Sequence, residues 1–299
     1  MDEIIRLDTI DSYNKLYGFP TGHPLVTVVD MSKAERRYNH VRINYGVYAL
    51  FLKNGEGCRL RYGRQYYDYQ EGTIVSFAPG QTIGIELADN EKPASAVGLL
   101  FHPDLIYGTG LGRKIGQYTF FNYDQNEALH LSEQERDIIT DCLHKIEYEL
   151  SQPVDKHSRQ LLCVQIEMIL DYCLRFYDRQ FCTREKVNSD IMARFERLLN
   201  GYFASEPKEG LPSVKFFADK LCLSPGYFGD LVKRESGRTA QEYIQRKIID
   251  LSKNSLLGSG MSISEIAYSL GFQYPQHFIR LFKREVGMTP GEFRSNSQI

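Results

Sequence analysis

The side chains with the clearest chemistry form a short polar run near the end of the chain: Gln273, Tyr274, Gln276, His277 and Arg280. A glutamine amide can make two hydrogen bonds to the edge of adenine, and an arginine guanidinium can make two to guanine. His277 also fits a role in helix packing. Lys283 and Arg284 lie farther along, where we expect them to contact phosphates. The run predicts a surface that contacts nucleic acid, with Arg280 as the strongest candidate for reading a base.

The segment 262–287 predicts the two helices that would present this run. Ser262 and Glu265 have the spacing of a capping box, and apolar residues follow at helical spacing: Ile263, Ile266, Ala267 and Leu270. Gly271 is expected to end the first helix and Pro275 to begin the second. Two short helices joined by a tight turn are a helix-turn-helix pattern, although a lone match also fits an ordinary α-hairpin.

The segment 213–237 repeats this pattern. Its first helix matches the later one with an offset of 49 residues and its second with an offset of 50, so one residue is inserted in the turn. Apolar spacing between the copies, over 241–257, predicts one long connecting helix. Two such helices on one rigid body can enter successive major-groove segments about 34 Å apart on one face of a duplex.

The first copy carries different side chains at the reading positions. Gly226, Tyr227, Gly229 and Asp230 stand there, followed by Lys233 and Arg234. Tyr227 could stack on a sugar or touch a thymine methyl group, and Asp230 could accept a hydrogen bond from cytosine. Lys233 and Arg234 are expected to meet phosphates. Because the glycines supply no side chain, we expect this copy to read less sequence than the second.

Residues from about 190 to 293 resemble the DNA-binding domain of the AraC/XylS family of bacterial transcription regulators. The resemblance is carried by Ile266-Ala267, Gly271-Phe272, Phe278, Phe282-Lys283, Gly287, Thr289-Pro290 and Phe293-Arg294, placed after a weaker copy. It covers roughly the last third of the chain. The resemblance implies sequence-specific binding to double-stranded promoter DNA and contact with RNA polymerase, usually to activate transcription.

The part before this domain has a mixed pattern, so the whole chain is predicted to be α+β. Short β-branched and aromatic segments between Gly, Pro, Asn and Asp indicate a β-barrel over about 20–105, and helical spacing covers about 130–182. The order of domains and the segment from Gly72 to Pro79 resemble the cupin-like, jelly-roll sensor domain of many AraC-type regulators. We expect domains at 1–182 and 190–299, joined by a polar linker at 183–189.

A barrel of this kind could hold a metal ion or an organic ligand. The histidines of the segment are scattered and form no His-x-His pattern, so no metal, cofactor or catalytic residue is predicted. Aromatic and guanidinium groups could instead bind a sugar or an anionic metabolite, and the candidates are Tyr45, Tyr48, Arg59, Arg61 and Tyr67. The prevalence of tyrosine in strands offers a second explanation for this composition.

The helix predicted at about 156–181 has an apolar stripe with steps of four and three residues: Leu162, Ile166, Ile169, Cys173 and Phe176. This is the pattern of a seam between two helices. A second stripe contains Leu161, Val164 and Met168. One stripe could cover the barrel and the other could pair with a second chain, so we expect a homodimer. Packing within one chain is the alternative.

Charge and cysteine content agree with a cytoplasmic DNA-binding protein. The net charge of the 299 residues is −2, yet residues 190–299 hold 15 Lys and Arg against 12 Asp and Glu. Six cysteines form no regular framework, so we expect them to be reduced thiols. No signal peptide or membrane-length apolar run is present, so we expect no association with a membrane.

These observations predict a dimeric transcription regulator, an activator controlled by a sugar or related metabolite. One alternative is a regulator whose N-terminal domain only dimerises or binds a protein. Another is a cupin-type enzyme fused to a DNA-binding module.

Overall fold

The computed structural model describes residues 4–36, 38, 41–54, 61–62, 65–66, 72–85, 95–124, 127–183, 185–205 and 210–296. The chain divides into two compact units, Met1–Thr183 and Arg184–Ile299. The β-strands of the N-terminal unit are β1 (Ile4–Leu7), β2 (Val26–Asp30), β3 (Val41–Tyr45), β4 (Tyr48–Asn54), β5 (Arg61–Tyr62), β6 (Gln65–Tyr66), β7 (Thr73–Phe77), β8 (Thr82–Ile85), β9 (Ser95–Phe101) and β10 (Leu129–His130). Its helices are α1 (Ile10–Tyr17), α2 (Pro103–Ile106), α3 (Gly110–Lys114), α4 (Glu133–Ser151) and α5 (Ser158–Thr183).

The longer strands of this unit form two sheets. One has the order β1-β3-β8 and the other the order β10-β7-β4-β9-β2, while β5 and β6 pair as a hairpin. One core joins the two sheets, with Ile43 and Tyr45 from the first and Phe51, Phe77 and Leu100 from the second. Side chains that alternate along each strand fill this layer, as in other sheet-on-sheet packings. The predicted barrel is therefore not closed within the described strands.

The unit also contains elements before residue 20, where none was predicted. Strand β1 runs parallel to β3 and places Ile5 beside Ile43. Helix α1 is capped by Thr9 and ends at Gly18, which has a φ of 84°. Its buried face adds Ile10, Tyr13 and Tyr17 to the core between the sheets.

Helices α4 and α5 pack together, and their contact corrects the predicted dimer seam. Leu162, Ile166, Ile169, Cys173 and Phe176 are all at most 5% exposed within a single chain. The apolar face of α4 is also buried, at Ile139, Cys142, Leu143 and Ile146. The seam pattern thus marks an intramolecular helix contact, and these five side chains cannot meet a second chain. The second stripe is different, because Leu161 is 46% exposed and Val164 is 52% exposed.

Five cysteines fall within the described residues, and all five are free thiols. Cys142, Cys163 and Cys173 are buried, and this burial raises the pKa of each thiol. They therefore stay protonated and behave as small apolar side chains at neutral pH. Cys182 and Cys222 are exposed.

The C-terminal unit is built from helices alone among its described residues. They are α6 (Glu185–Ala204), α7 (Val214–Leu221), α8 (Pro225–Ser236), α9 (Ala240–Gly258), α10 (Ile263–Ser269), α11 (Pro275–Val286) and α12 (Pro290–Asn296). The segment 183–189, predicted to be an irregular linker, is helical from Glu185 onward. The buried Asn188 lies one turn before the partly buried Ile191, so a polar residue conceals the apolar periodicity of this helix.

The repeat seen in the sequence appears as two helix pairs, α7–α8 and α10–α11. Both second helices begin with proline and end at a glycine in the left-handed conformation, with φ of 72° at Gly237 and 85° at Gly287. Capping boxes begin α9, at Thr239 and Glu242, and α10, at Ser262 and Glu265. Each glutamate carboxylate accepts a hydrogen bond from the backbone N–H of its capping partner. This hydrogen bond lowers the pKa of the carboxyl group.

A single apolar core runs through both helix pairs. Phe195 of α6 packs against Phe217 and Phe228 of the first pair, with ring centroids 5.2 and 5.0 Å apart. The same core includes Ile248 of α9 and Phe278 of the second pair. Since these residues share one packed interior, the two pairs form one body, with α9 between them.

A backbone contact ties the loop before the first pair to the turn of the second. Gly271 has a φ of +94°, and a Cβ atom placed on it would lie 2.3 Å from the carbonyl oxygen of Gly210. The Tyr202 hydroxyl donates a hydrogen bond of 2.9 Å to that same oxygen, which holds it in place. Gly271 is therefore required both for its backbone conformation and for the close approach.

We predict that Gly271→Ala destabilises the C-terminal unit by about 2–5 kcal/mol, because it combines left-handed strain with overpacking. Gly201→Ala is the matched control, since this helical glycine has open space around its Cβ position, and we expect it to stabilise α6 by about 0.5–1 kcal/mol. Native-state hydrogen exchange of the amides of α6 and of α9–α11 measures both effects. Equal protection in the two variants would contradict the tight contact.

Candidate nucleic-acid interface

Helix α11 and the turn before it present the predicted base-contacting side chains to solvent. Gln273, Tyr274, Gln276, His277 and Arg280 are all exposed. On the opposite face, Phe278 and Phe282 are completely buried and anchor the helix in the core. The amphipathic pattern thus fixes which face of α11 is available to a partner.

An aromatic pair stands at the start of α11. Tyr274 occupies the N-cap position without a capping hydrogen bond from its side chain, and it is 58% exposed. Its ring meets the ring of His277 edge to face, with centroids 5.5 Å apart. His277 is therefore exposed beside Tyr274.

The cations along α11 differ in how they are held. Arg280 makes no hydrogen bond or ion pair with the described residues, so its five donors are available. Arg284 is engaged, because its Nε donates to Glu285 and its Nη2 donates to Gln245 of α9, both at 2.8 Å. Lys283 is exposed. Arg280 is thus free to adapt to a base, whereas Arg284 is positioned by its neighbours.

The first pair presents a different surface. Tyr227, predicted to contact DNA, is only 5% exposed, and this placement corrects the prediction. It lies one helical turn before the fully buried Leu231, on an apolar strip that the sequence pattern did not distinguish from the outward face. Asp230 is half-buried, while Lys233 and Arg234 are exposed near the end of α8. The copies therefore differ in exposure as well as in side-chain chemistry.

The candidate ligand residues of the N-terminal unit do not form one described site. Tyr45 is a core residue, 4% exposed, and burial raises the pKa of its hydroxyl. Tyr48 is half-buried and stacks on Phe101 with centroids 5.0 Å apart. Arg59 and Tyr67 lie outside the described residues, and so does the side chain of Arg61.

Sequence reasoning missed two tyrosines that accompany Tyr45. The Tyr13 hydroxyl donates to the sulfur of Met31 at 3.3 Å, and burial raises the pKa of Tyr17 to about 12. The rings of Tyr13 and Tyr45 are 6.5 Å apart, and those of Tyr13 and Tyr17 are 4.9 Å apart. The signal was available, because Ile10, Tyr13 and Tyr17 have helical spacing.

The described part of the chain contains no group of three or more His, Cys, Asp and Glu side chains arranged to hold a metal ion. No helix in these segments is both long and apolar enough to cross a membrane.

Comparison with known proteins identifies the fold of the helical region. Residues 217–296 match the family described as "Helix-turn-helix domain". The chain is 38% identical over 85 residues to the "Uncharacterized transcriptional regulatory protein YesN" of Bacillus subtilis, covering 27% of this chain and 23% of that relative. It is 36% identical over 82 residues to the "HTH-type transcriptional activator RhaS" of Escherichia fergusonii, covering 27% and 30%.

A more extended match includes part of the N-terminal unit. The "Uncharacterized HTH-type transcriptional regulator YijO" of Escherichia coli is 21% identical over 228 residues, which cover 75% of this chain and 76% of that relative. The chain spans less than a third of the length of YesN and of RhaS. The helical region is thus an AraC-type helix-turn-helix domain, in a chain whose relatives are transcription regulators.

Proposed function

We propose that the protein is a sequence-specific, DNA-binding regulator of transcription that reads promoter DNA chiefly through α11. The observation that carries this proposal is the exposed stripe of Gln276, His277 and Arg280, backed by the buried Phe278 and Phe282. A rigidly anchored helix that presents amide and guanidinium groups can make paired hydrogen bonds to adenine and guanine in the major groove.

In this proposal both helix pairs act as helix-turn-helix units, but one contacts mainly bases and the other mainly phosphates. The second pair reads bases through Gln273, Gln276 and Arg280, with Tyr274 and His277 at its edge. The first pair offers Lys233 and Arg234 to phosphates, while Asp230 is poorly suited to face a phosphate backbone. Affinity then comes from both pairs, and sequence preference comes mainly from one.

The regulator is proposed to act in the cytoplasm and to activate transcription by contact with RNA polymerase. The relative named as an activator supports this direction of control. Most of the length of RhaS lies outside the match, so only the similarity of the helical region supports this proposal.

We further propose that the N-terminal unit binds a small organic effector, such as a sugar or related metabolite, between or beside its sheets. The half-buried Tyr48, whose ring stacks on Phe101, supports this proposal, because an accessible aromatic ring suits a polyhydroxylated ligand. A unit that only dimerises or binds a protein is the competing proposal.

Dimerisation is proposed to use the exposed stripe of α5 rather than the buried one. Leu161 and Val164 lie on this stripe with the partly buried Met168. Exposed aliphatic side chains one helical turn apart can form the contact between two helices of a dimer.

Selection of bound duplexes from a randomised pool tests the DNA-reading proposal. We expect the wild-type protein to enrich a defined sequence. Arg280→Ala should cost about 1–3 kcal/mol on that sequence and relax preference at one base pair. Asp230→Ala is the matched change in the first pair, and we expect it to leave the selected sequence unchanged. A wild-type protein without any sequence preference would refute the proposal.

A thermal-shift screen of sugars and metabolites tests the effector proposal. A specific ligand at 100 times its Kd should stabilise the folded protein by about 2.7 kcal/mol, which raises the melting temperature by mass action. Isothermal titration then checks that the hit binds stoichiometrically. A screen in which no compound raises the melting temperature would favour the dimerising or protein-binding alternative.

Sedimentation velocity tests the dimer proposal. The double variant Leu161→Glu/Val164→Glu should be monomeric at concentrations where the wild type is dimeric, because it places like charges on facing helices. Lys145→Glu, at an exposed position on α4 rather than on α5, is the control and should not change the sedimentation coefficient. A wild-type monomer, or a double variant that still dimerises, would contradict the assignment.

A further inference from the structure

Helix α11 differs from five other helices of the C-terminal unit in the residue that precedes it. Helices α7, α8, α9, α10 and α12 each follow a serine or threonine whose hydroxyl oxygen accepts a hydrogen bond from the backbone N–H three residues later: Ser213, Ser224, Thr239, Ser262 and Thr289. These residues are favoured at the N-cap position because that bond satisfies a donor without a partner inside the helix. Tyr274 occupies the N-cap position of α11, and its side chain makes no such bond to the described backbone.

The internal repeat shows what the matching position does in the first helix pair. With the offset of 50 residues between the second helices, Tyr274 matches Ser224. Ser224 is 3% exposed, and its hydroxyl accepts a hydrogen bond of 3.1 Å from the Tyr227 backbone N–H. In α11 the matching N–H, that of His277, donates instead to the backbone carbonyl oxygen of Tyr274 at 3.0 Å. The tyrosine ring therefore takes no part in capping the helix.

The ring of Tyr274 stands at the end of α11 where base edges are expected to lie, because the first residues of a recognition helix contact bases. It is 58% exposed. The ring of His277 meets it edge to face, with centroids 5.5 Å apart and an interplanar angle of 70°, which restricts its orientation. The major groove offers one apolar group to such a ring, the C5 methyl group of thymine.

We propose that the ring of Tyr274 recognises the 5-methyl group of a thymine, beside the bases that Gln276 and Arg280 contact. The inference rests on the proposed DNA-binding function and adds an apolar, specificity-determining contact to the polar ones. A methyl contact favours a T·A pair at a position that the amide and guanidinium groups do not read. The same residue leaves α11 without a side-chain cap. Replacing it with serine should therefore weaken DNA recognition and stabilise the helix.

Replacement of thymine by uracil in the selected duplex tests this proposal, since the two bases differ only in this methyl group. Thymines beside the base pair at which Arg280→Ala relaxes preference are replaced one at a time, and binding by the full chain is measured by fluorescence anisotropy. For the wild type, one replacement should weaken binding about fourfold, the effect of losing one buried methyl group. Tyr274→Ser should be insensitive to that replacement, whereas Tyr274→Phe should retain the sensitivity because it keeps the ring.

Helix stability supplies a second readout, of opposite sign. Tyr274→Ser introduces the missing cap and should raise the hydrogen-exchange protection of the α11 amides about fivefold, so weaker binding by this variant cannot come from unfolding. Ser224→Ala is the matched control in the first pair. It should lower the protection of the α8 amides by about the same factor and leave the sensitivity to uracil unchanged.

A wild-type protein that binds every uracil duplex as tightly as the thymine duplex would overturn the methyl contact. Sensitivity to uracil that persists in Tyr274→Ser would overturn it equally. A uniform loss of affinity in Tyr274→Phe, with no effect of uracil on the wild type, would assign the tyrosine hydroxyl to a phosphate instead. Failure of the wild type to enrich any sequence would refute the underlying DNA-reading function.

Discussion

The two helix pairs of the C-terminal unit cannot move independently, because one apolar core runs through both of them. Phe195 fills the space between Phe217 and Phe228, and α9 carries the same core to Phe278 and Phe282. The Tyr243 hydroxyl adds a hydrogen bond of 2.6 Å to Glu196 that ties α9 to α6. Folding already fixes the spacing of the pairs, so a duplex that fits this spacing meets a preorganised surface. The conformational entropy that the protein loses on binding is therefore small.

Within this rigid frame the two copies have diverged in chemistry. The second pair exposes hydrogen-bonding side chains suited to base edges, whereas the matching face of the first pair has glycine, a buried tyrosine and an aspartate. The duplicated element keeps its core positions and the glycine that ends each second helix, because the fold needs them, and its exposed positions are free to change. The result is a division between a surface that specifies sequence and surfaces that add affinity.

Local signals could be read from the sequence, and long-range packing could not. The capping boxes at Thr239 and Ser262 were predictable because a few neighbouring residues determine them. The stripe from Leu162 to Phe176 predicted a helix contact, but the same spacing serves a contact within one chain or between two. Tyr227 was predicted to face outward because a tyrosine ring is found both in cores and on surfaces. The folded structure shows that it is buried. Helix α1 was missed although Ile10, Tyr13 and Tyr17 have helical spacing, because no second copy of the pattern supports so short a helix, as one does for α7 and α10.

Hydroxyl-radical footprinting of the full chain on its selected duplex tests the central claim most directly. A single body with two helix pairs predicts two protected backbone stretches about one helical turn apart, on the same face of the duplex. Both stretches should appear together as protein is added, because the shared core prevents one pair from binding without placing the other. Protection confined to one major-groove segment, or two stretches on opposite faces, would contradict the account.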